Sequence, residues 1–138
     1  MAELLAPGDV VLLGGNLGAG KTVFAQGVAE GLGIKEPVTS PTFTLIHEYE
    51  GRLPLFHVDL YRIGGDAEAS DLGLEEYLYG DGVTLIEWAE RASGLVPPEH
   101  LLVALRPVAD TKRALRFDPA GKRYRQLVAA FKRDAFGA

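Results

Sequence analysis

A glycine-rich run, Gly15-Asn16-Leu17-Gly18-Ala19-Gly20-Lys21-Thr22, follows directly on the apolar stretch Val10-Val11-Leu12-Leu13-Gly14. Directly after it, Val23, Phe24, Gly27, Val28 and Leu32 recur at helical spacings until Gly33 ends the pattern. This order constrains the chain more than any other feature. A short continuous apolar run is expected of a strand buried on both faces. Strand, tight turn and helix then place the turn at the carboxyl edge of a parallel α/β sheet, where such sheets hold ligands.

The turn matches G-x-x-x-x-G-K-[ST] at every position. A polyphosphate needs many converging N–H donors, so the loop must curl its amides inward. Gly15, Gly18 and Gly20 allow the unusual dihedrals and the close approach that a Cβ would block. The helix that begins at Lys21 offers its uncapped N–H groups and positive dipole end to the same anion. Lys21 can bridge the terminal phosphates, and the Thr22 hydroxyl can ligate Mg²⁺. A structural glycine turn arising by chance would lack the strand before it and the helix after it.

Pro37 and Pro41 exclude regular helix around Val38-Thr39-Ser40. Phe43 to Tyr49 alternates as a strand does, Glu50-Gly51-Arg52 forms a hairpin turn, and Leu53 to Asp59 returns as a second strand. Asp66 is placed to cap a short helix through Leu72, with another from Leu74 to Tyr79 after Gly73. Val83-Thr84-Leu85-Ile86-Glu87 reads as a further buried strand, Leu101–Leu105 and Ala114–Phe117 as a late hairpin, and Tyr124, Leu127, Val128 and Phe131 as an amphipathic final helix. The fold expected is α/β, a single P-loop NTPase domain over residues 1–138, with a mixed, mostly parallel sheet flanked by helices and carrying antiparallel hairpins.

The strands Leu55–Asp59 and Val83–Glu87 each end in a carboxylate, and hydrolysis of a phosphate chain needs a held metal and an oriented water. Asp59 fits the metal-holding role, directly or through water; Glu87 fits either a metal ligand or the group that orients water. Thr42, with Thr39 and Ser40 behind it, lies where nucleotide switches sense a γ-phosphate through Mg²⁺. Trp88 reads either as core or as a reporter of nucleotide state. Arg62 and Arg91 can stabilise transferred charge or simply form surface pairs. His47, His57 and His100 have no metal-ligand spacing and are assigned no ligand role. Guanine recognition usually carries an Asn-Lys-x-Asp element, which is absent, and Asp59-Leu60-Tyr61-Arg62 lacks the glycine of a GTPase switch, so ATP is the nucleotide expected.

Composition bounds the rest. With 47% hydrophobic and 24% charged residues the chain is of ordinary globular make-up, which argues against disorder. It has no cysteine, which removes disulfides, thiol nucleophiles and cysteine-held metals. No apolar run approaches the ~18 residues of a membrane span, and Met1–Pro7 is no signal peptide, so a soluble cytoplasmic domain is expected. The net charge of −5 divides into −11 over residues 1–99 (5 basic, 16 acidic) and +6 over residues 100–138 (9 basic, 3 acidic). Lys122, Arg123, Arg125, Lys132 and Arg133 are therefore either a solvated helix face or a contact for nucleic acid or an acidic partner.

The combination of Gly15–Thr22, Ser40-Pro41-Thr42-Phe43, His57-Val58-Asp59-Leu60-Tyr61-Arg62 and Leu85-Ile86-Glu87-Trp88, in this order, resembles the TsaE family, P-loop ATPases of bacterial tRNA threonylcarbamoyladenosine formation. The resemblance runs over most of residues 8–118. It implies an ATP/ADP-binding, Mg²⁺-dependent ATPase that joins a TsaB–TsaD heterodimer and supports modification of adenosine 37 in tRNAs reading ANN codons. No membrane or DNA partner is implied, and tRNA would be met through the complex. Carried over by position, nucleotide contacts fall on Gly18, Ala19, Gly20, Lys21, Thr22 and Val23, and Mg²⁺ contacts on Thr22 and Glu87. Asp59 takes the acidic strand-end role, Ser40 to Phe43 form the first switch, and Arg113, with Lys112 beside it, matches a basic nucleotide contact. Asn16 replaces the Asp common in the family's cradle. Relatives usually carry about twenty further residues, with a Ser/Thr–Glu element near the base, ahead of the first strand, where nine precede Val10 here. Two other classes share the cradle: a small-molecule or nucleoside kinase, which needs an acceptor pocket and a lid, and a non-catalytic nucleotide-binding scaffold.

Overall fold

The computed structural model describes residues 2–15, 21–38, 45–109 and 112–136, with side chains throughout except at 107–109, 112, 113, 135 and 136. The elements run β1 (Val10–Gly14), α1 (Lys21–Gly31), β2 (Ile46–Tyr49), β3 (Leu55–Asp59), α2 (Asp66–Asp71), α3 (Leu74–Leu78), β4 (Val83–Glu87), β5 (His100–Ala109), β6 (Lys112–Ala120) and α4 (Lys122–Phe136), with short 3-10 turns at Ala2–Leu4 and Ala89–Ala92. The strands form one sheet in the order β2-β3-β4-β1-β5-β6. β3, β4, β1 and β5 are mutually parallel, and β2 and β6 close the edges as antiparallel hairpin partners. The mixed, mostly parallel α/β domain expected from the sequence is the one found.

Alternation along the central strands divides the core into two layers. Val11, Leu13, Leu55, Leu85, Leu101 and Val103 face α1, α4 and the first 3-10 turn. Val10, Leu12, Val58 and Ile86 face α2, α3 and the turn at Ala89–Ala92. Both faces of the parallel strands are thus covered, which is why those strands read as continuous apolar runs.

The buried stripe of α1 differs from the one its large apolar residues suggest. Lys21, Ala25, Val28, Ala29 and the following Leu32 are buried, whereas Val23 is 70% exposed and Gly27 faces out. Ala25 and Ala29 therefore share the contact with Val28 and Leu32, and Phe24 packs partly buried against the same core. The approach of the first 3-10 turn is equally tight: a Cβ on Gly31 would collide with the Ala2 side chain.

Other boundaries move for local reasons. β2 begins at Ile46 because Leu45 takes a left-handed conformation (φ 67°), and the Leu45 carbonyl accepts the Asp59 amide at 2.8 Å; residues 43 and 44 lie outside the described residues. β5 and β6 are longer than the apolar runs within them, pairing from His100 with Ala120 out to Ala109 with Lys112, with a bulge between Pro107 and Ala109. Asp66 caps nothing: it stands inside the first turn of α2, and its Oδ1 accepts the Gly94 amide at 3.3 Å, a long contact.

α4 is tied to the entry of β1. The Val10 amide donates to the Tyr124 hydroxyl at 2.9 Å, and Arg123 donates to both Asp9 oxygens (3.2 and 2.6 Å) and to the Leu4 carbonyl (2.9 Å). Asp9 also accepts the Ala6 amide and is almost wholly buried. Arg123, one of the basic residues of the chain's final third, is therefore committed to folding. Arg123→Met is expected to lower stability by about 1–2 kcal/mol, less than a fully buried pair would lose because the guanidinium is partly open to water; urea unfolding measures it. Burial, helped by the Asp9 charge, raises the Tyr124 pKa above its ordinary value, outweighing the Val10 hydrogen bond. The native state thus disfavours phenolate, so this contribution is intact below the unfolded tyrosine value of ~10 and fades as pH climbs through the raised native value. Urea midpoints should fall between pH 9 and pH 11, and fall less in Tyr124→Phe.

Candidate nucleotide-binding site

Parallel register sets the site. Asp59 ends β3 opposite Glu87, and Glu87 is in turn paired with Leu13 of β1, next to Gly14 and Gly15 where the glycine-rich turn starts. Three neighbouring strands therefore finish at one level of the carboxyl edge. Gly15 has φ 129°, a region that side-chain-bearing residues seldom adopt, so the turn leaves β1 in a direction only glycine takes easily. On its far side the chain re-enters as α1, with Lys21 as the opening residue.

Lys21 folds back over the strand ends. Its ammonium lies 3.7 Å from Glu87 Oε1 and 4.7 Å from the centre of the Trp88 ring. Both Lys21 and Glu87 are about 5% exposed, so each charge is compensated by its neighbour rather than by water. Glu87 Oε2 is held by His57 Nε2 at 2.6 Å. Asp59 is as buried as Glu87, and its Oδ1 accepts the Tyr61 amide at 2.9 Å, which turns the chain sharply after β3. Thr22, the second residue of α1, is half-buried, and Val23 stands exposed in the first turn beside the glycine-rich segment.

Trp88, directly after Glu87, is left-handed (φ 61°, ψ 41°). A bulky residue in that conformation is strained and persists because its surroundings hold it. Here Tyr61 packs at 5.0 Å between ring centres, and the Arg91 guanidinium lies 5.7 Å from Tyr61 and 5.9 Å from Trp88. Trp88 is half-buried and packs against the core on the α2–α3 side of the sheet. Arg91 rests on this aromatic pair, and Arg62 is exposed.

The structure thus brings Lys21, Asp59 and Glu87 to one place, with Thr22 on the adjoining turn. Gly18, Ala19 and Gly20 of the expected cradle, and the expected switch residue Thr42 with Thr39 and Ser40 behind it, lie outside the described residues, as does the Arg113 side chain. The other histidines are spoken for locally: His47 Nδ1 meets the Tyr49 hydroxyl at 2.9 Å, and His100 Nδ1 meets the Pro97 carbonyl at 2.9 Å. The residue that sequence reasoning passed over is His57. Strand alternation puts it on the same face as Asp59, but only the β3–β4 register shows that this face delivers it to Glu87.

Residues 1–115 match the family described as "Threonylcarbamoyl adenosine biosynthesis protein TsaE". The tRNA threonylcarbamoyladenosine biosynthesis protein TsaE of Bacillus subtilis (strain 168) is 47% identical over 133 residues, spanning 96% of this chain and 83% of that protein. The protein of the same name from Treponema pallidum (strain Nichols) is 47% identical over 115 residues, 83% of this chain and 85% of its own. Among solved structures, the one titled "Crystal structure of Bacillus subtilus YdiB" superposes with a TM-score of 0.83 at 42% identity, covering 97% of this chain and 86% of that one. A glycine-rich segment between strand and helix, with Lys21 against the buried Glu87 and Asp59 alongside, in a chain with these relatives, leads to one conclusion: this protein belongs to the TsaE family of threonylcarbamoyl adenosine biosynthesis proteins.

Proposed function

We propose that the chain is a Mg²⁺-dependent ATPase that works with a TsaB–TsaD heterodimer, its ATP cycle supporting turnover in the formation of threonylcarbamoyladenosine at position 37 of tRNAs reading ANN codons. The observation that carries the reading is the buried Lys21–Glu87 pair, its lysine the residue that opens α1 directly after the glycine-rich segment. A lysine kept out of water, held at 3.7 Å by one carboxylate oxygen, is a cation ready to exchange that partner for a phosphate.

The donor set also suits the metal. Among the described residues no three acidic, histidine or cysteine side chains converge into a cage. Two buried carboxylates in register on neighbouring strands, with a threonine hydroxyl nearby, instead suit a hard ion that brings its own phosphate oxygens and waters. Thr22, Glu87 and Asp59 are the residues that would hold it. When bound, the ion would neutralise charge developing on the transferred phosphoryl group. Lys21 would bind and orient the terminal phosphates, and the amides at the start of α1 would draw the anion in. Glu87, fixed from behind by His57, would hold either the metal or the attacking water. Asp59, whose Oδ1 accepts the Tyr61 amide, is oriented by its own turn.

The family relationship supports the tRNA-modification role, and the exposed Lys122, Arg125, Lys132 and Arg133 on α4 leave a basic face for contact with tRNA in the assembly. Trp88 is the chain's single tryptophan and touches Lys21, so it reports on the site. Titration with Mg²⁺-ATP is expected to change its emission. Lys21→Ala should abolish that change and weaken binding by ~10–100-fold while leaving the circular dichroism spectrum intact; unaltered affinity in this variant defeats the reading. Glu87→Gln is expected to keep ATP binding but release no phosphate in the presence of TsaB–TsaD, and full release from it removes Glu87 from the chemistry.

A further inference from the structure

His57 is fully buried on β3, on the α1 face of the sheet, between Leu55 and Asp59 along its own strand and paired in register with Leu85 of β4. An apolar side chain there would pack with no polar atom to satisfy. Among the described residues the imidazole instead makes one hydrogen bond, from Nε2 to Glu87 Oε2 at 2.6 Å, and its Nδ1 has no partner there. An orphaned buried nitrogen is a desolvation cost with no return in the core itself. The return lies at Glu87, which sits one step further along β4 on the same face, beyond Leu85.

A carboxylate oxygen can only accept, so the hydrogen of this bond is on Nε2. With Oε2 tied to a ring that the sheet immobilises, rotation of the Glu87 carboxyl group is blocked, and Oε1 is left facing Lys21 at 3.7 Å. We propose that His57 is a positioning residue for Glu87: it occupies one carboxylate oxygen from within the core so that the other is presented, in a fixed orientation, to the phosphate end of the site. This rests on the reading of Glu87 as a metal- or water-holding group, but the pairing itself belongs to the nucleotide-free protein. Residues that orient metal ligands from behind commonly change metal affinity by ~10–100-fold when removed.

The test uses His57→Leu, which keeps the bulk, and His57→Gln, whose amide can donate in place of Nε2. Calorimetry of ADP binding with and without MgCl₂ isolates the magnesium-dependent gain in affinity. That gain should fall by ~10-fold or more in His57→Leu, with ADP affinity in the absence of Mg²⁺ unchanged, and should largely return in His57→Gln. A simple packing role would not distinguish the two ADP measurements and would not be rescued by Gln. A folded His57→Leu that keeps the full magnesium-dependent gain overturns the proposal. Nitrogen-15 NMR of the nucleotide-free protein decides it independently. The His57 ring should be protonated at Nε2, with that signal shifted in Glu87→Ala, whereas a neutral ring protonated only at Nδ1, or one indifferent to Glu87→Ala, overturns it. If the wild-type chain binds no ADP, the nucleotide reading fails, and the NMR result still tells whether His57 holds Glu87.

Discussion

The contact between Lys21 and Glu87 joins two parts of the molecule that are far apart in the chain. Lys21 opens the helix after the glycine-rich turn, and Glu87 ends a strand more than sixty residues later. Both are almost wholly buried, and each offsets part of the cost of burying the other's charge, with His57 as a second partner for Glu87. Their proximity depends on β1 lying beside β4 in parallel, with Leu13 level with Glu87. That adjacency requires an apolar sheet covered on both faces. The site is therefore a consequence of core packing: the same alternation that sends Leu13 and Leu85 toward α1 sends Glu87 and His57 to the same side.

Around this contact the polar groups form a chain, from Lys21 to Glu87 to His57, with Asp59 alongside at the end of the next strand. Trp88 closes it from the other direction, held left-handed by Tyr61 and Arg91. Strain in one residue and an unsatisfied nitrogen in another meet at the same strand end. A segment chosen for stability alone would carry neither, and functional sites are where such costs are retained. At the opposite edge of the sheet, the Asp9–Arg123 pair and the Tyr124 hydroxyl attach the last helix to the first strand. The charge of the final third is thus partly structural, and only its outer face is available to other molecules.

Much of this was legible in the residues. The glycine turn, the apolar runs ending in Asp59 and Glu87, and the hairpin signals led to a mixed parallel sheet, because apolar periodicity and turn chemistry are local properties. Errors arose where the outcome depended on distance or packing. Of the apolar pattern on α1, Val28 and Leu32 are buried and Phe24 partly so, whereas Val23 and Gly27 face out and Ala25 and Ala29 take their place. β5 and β6 extend past their apolar segments because backbone pairing in a hairpin continues once register is set, even through Pro107 and its bulge. Asp66 resembles a helix cap but faces a loop that arrives from residue 94.

By itself, then, the order of residues determined the α/β character, the glycine-rich link between first strand and first helix and the pair of acidic strand ends, since each is written in contiguous residues. Only the tertiary structure decided which of the three histidines matters and what Lys21 rests against. It also decided that Trp88 stands at the site's edge and that Arg123 serves the fold. These are relations between residues on different strands and helices, set by sheet register and by which face each strand turns to the core. No local pattern encodes them, because a one-residue shift in register would send every one of those side chains to the other face.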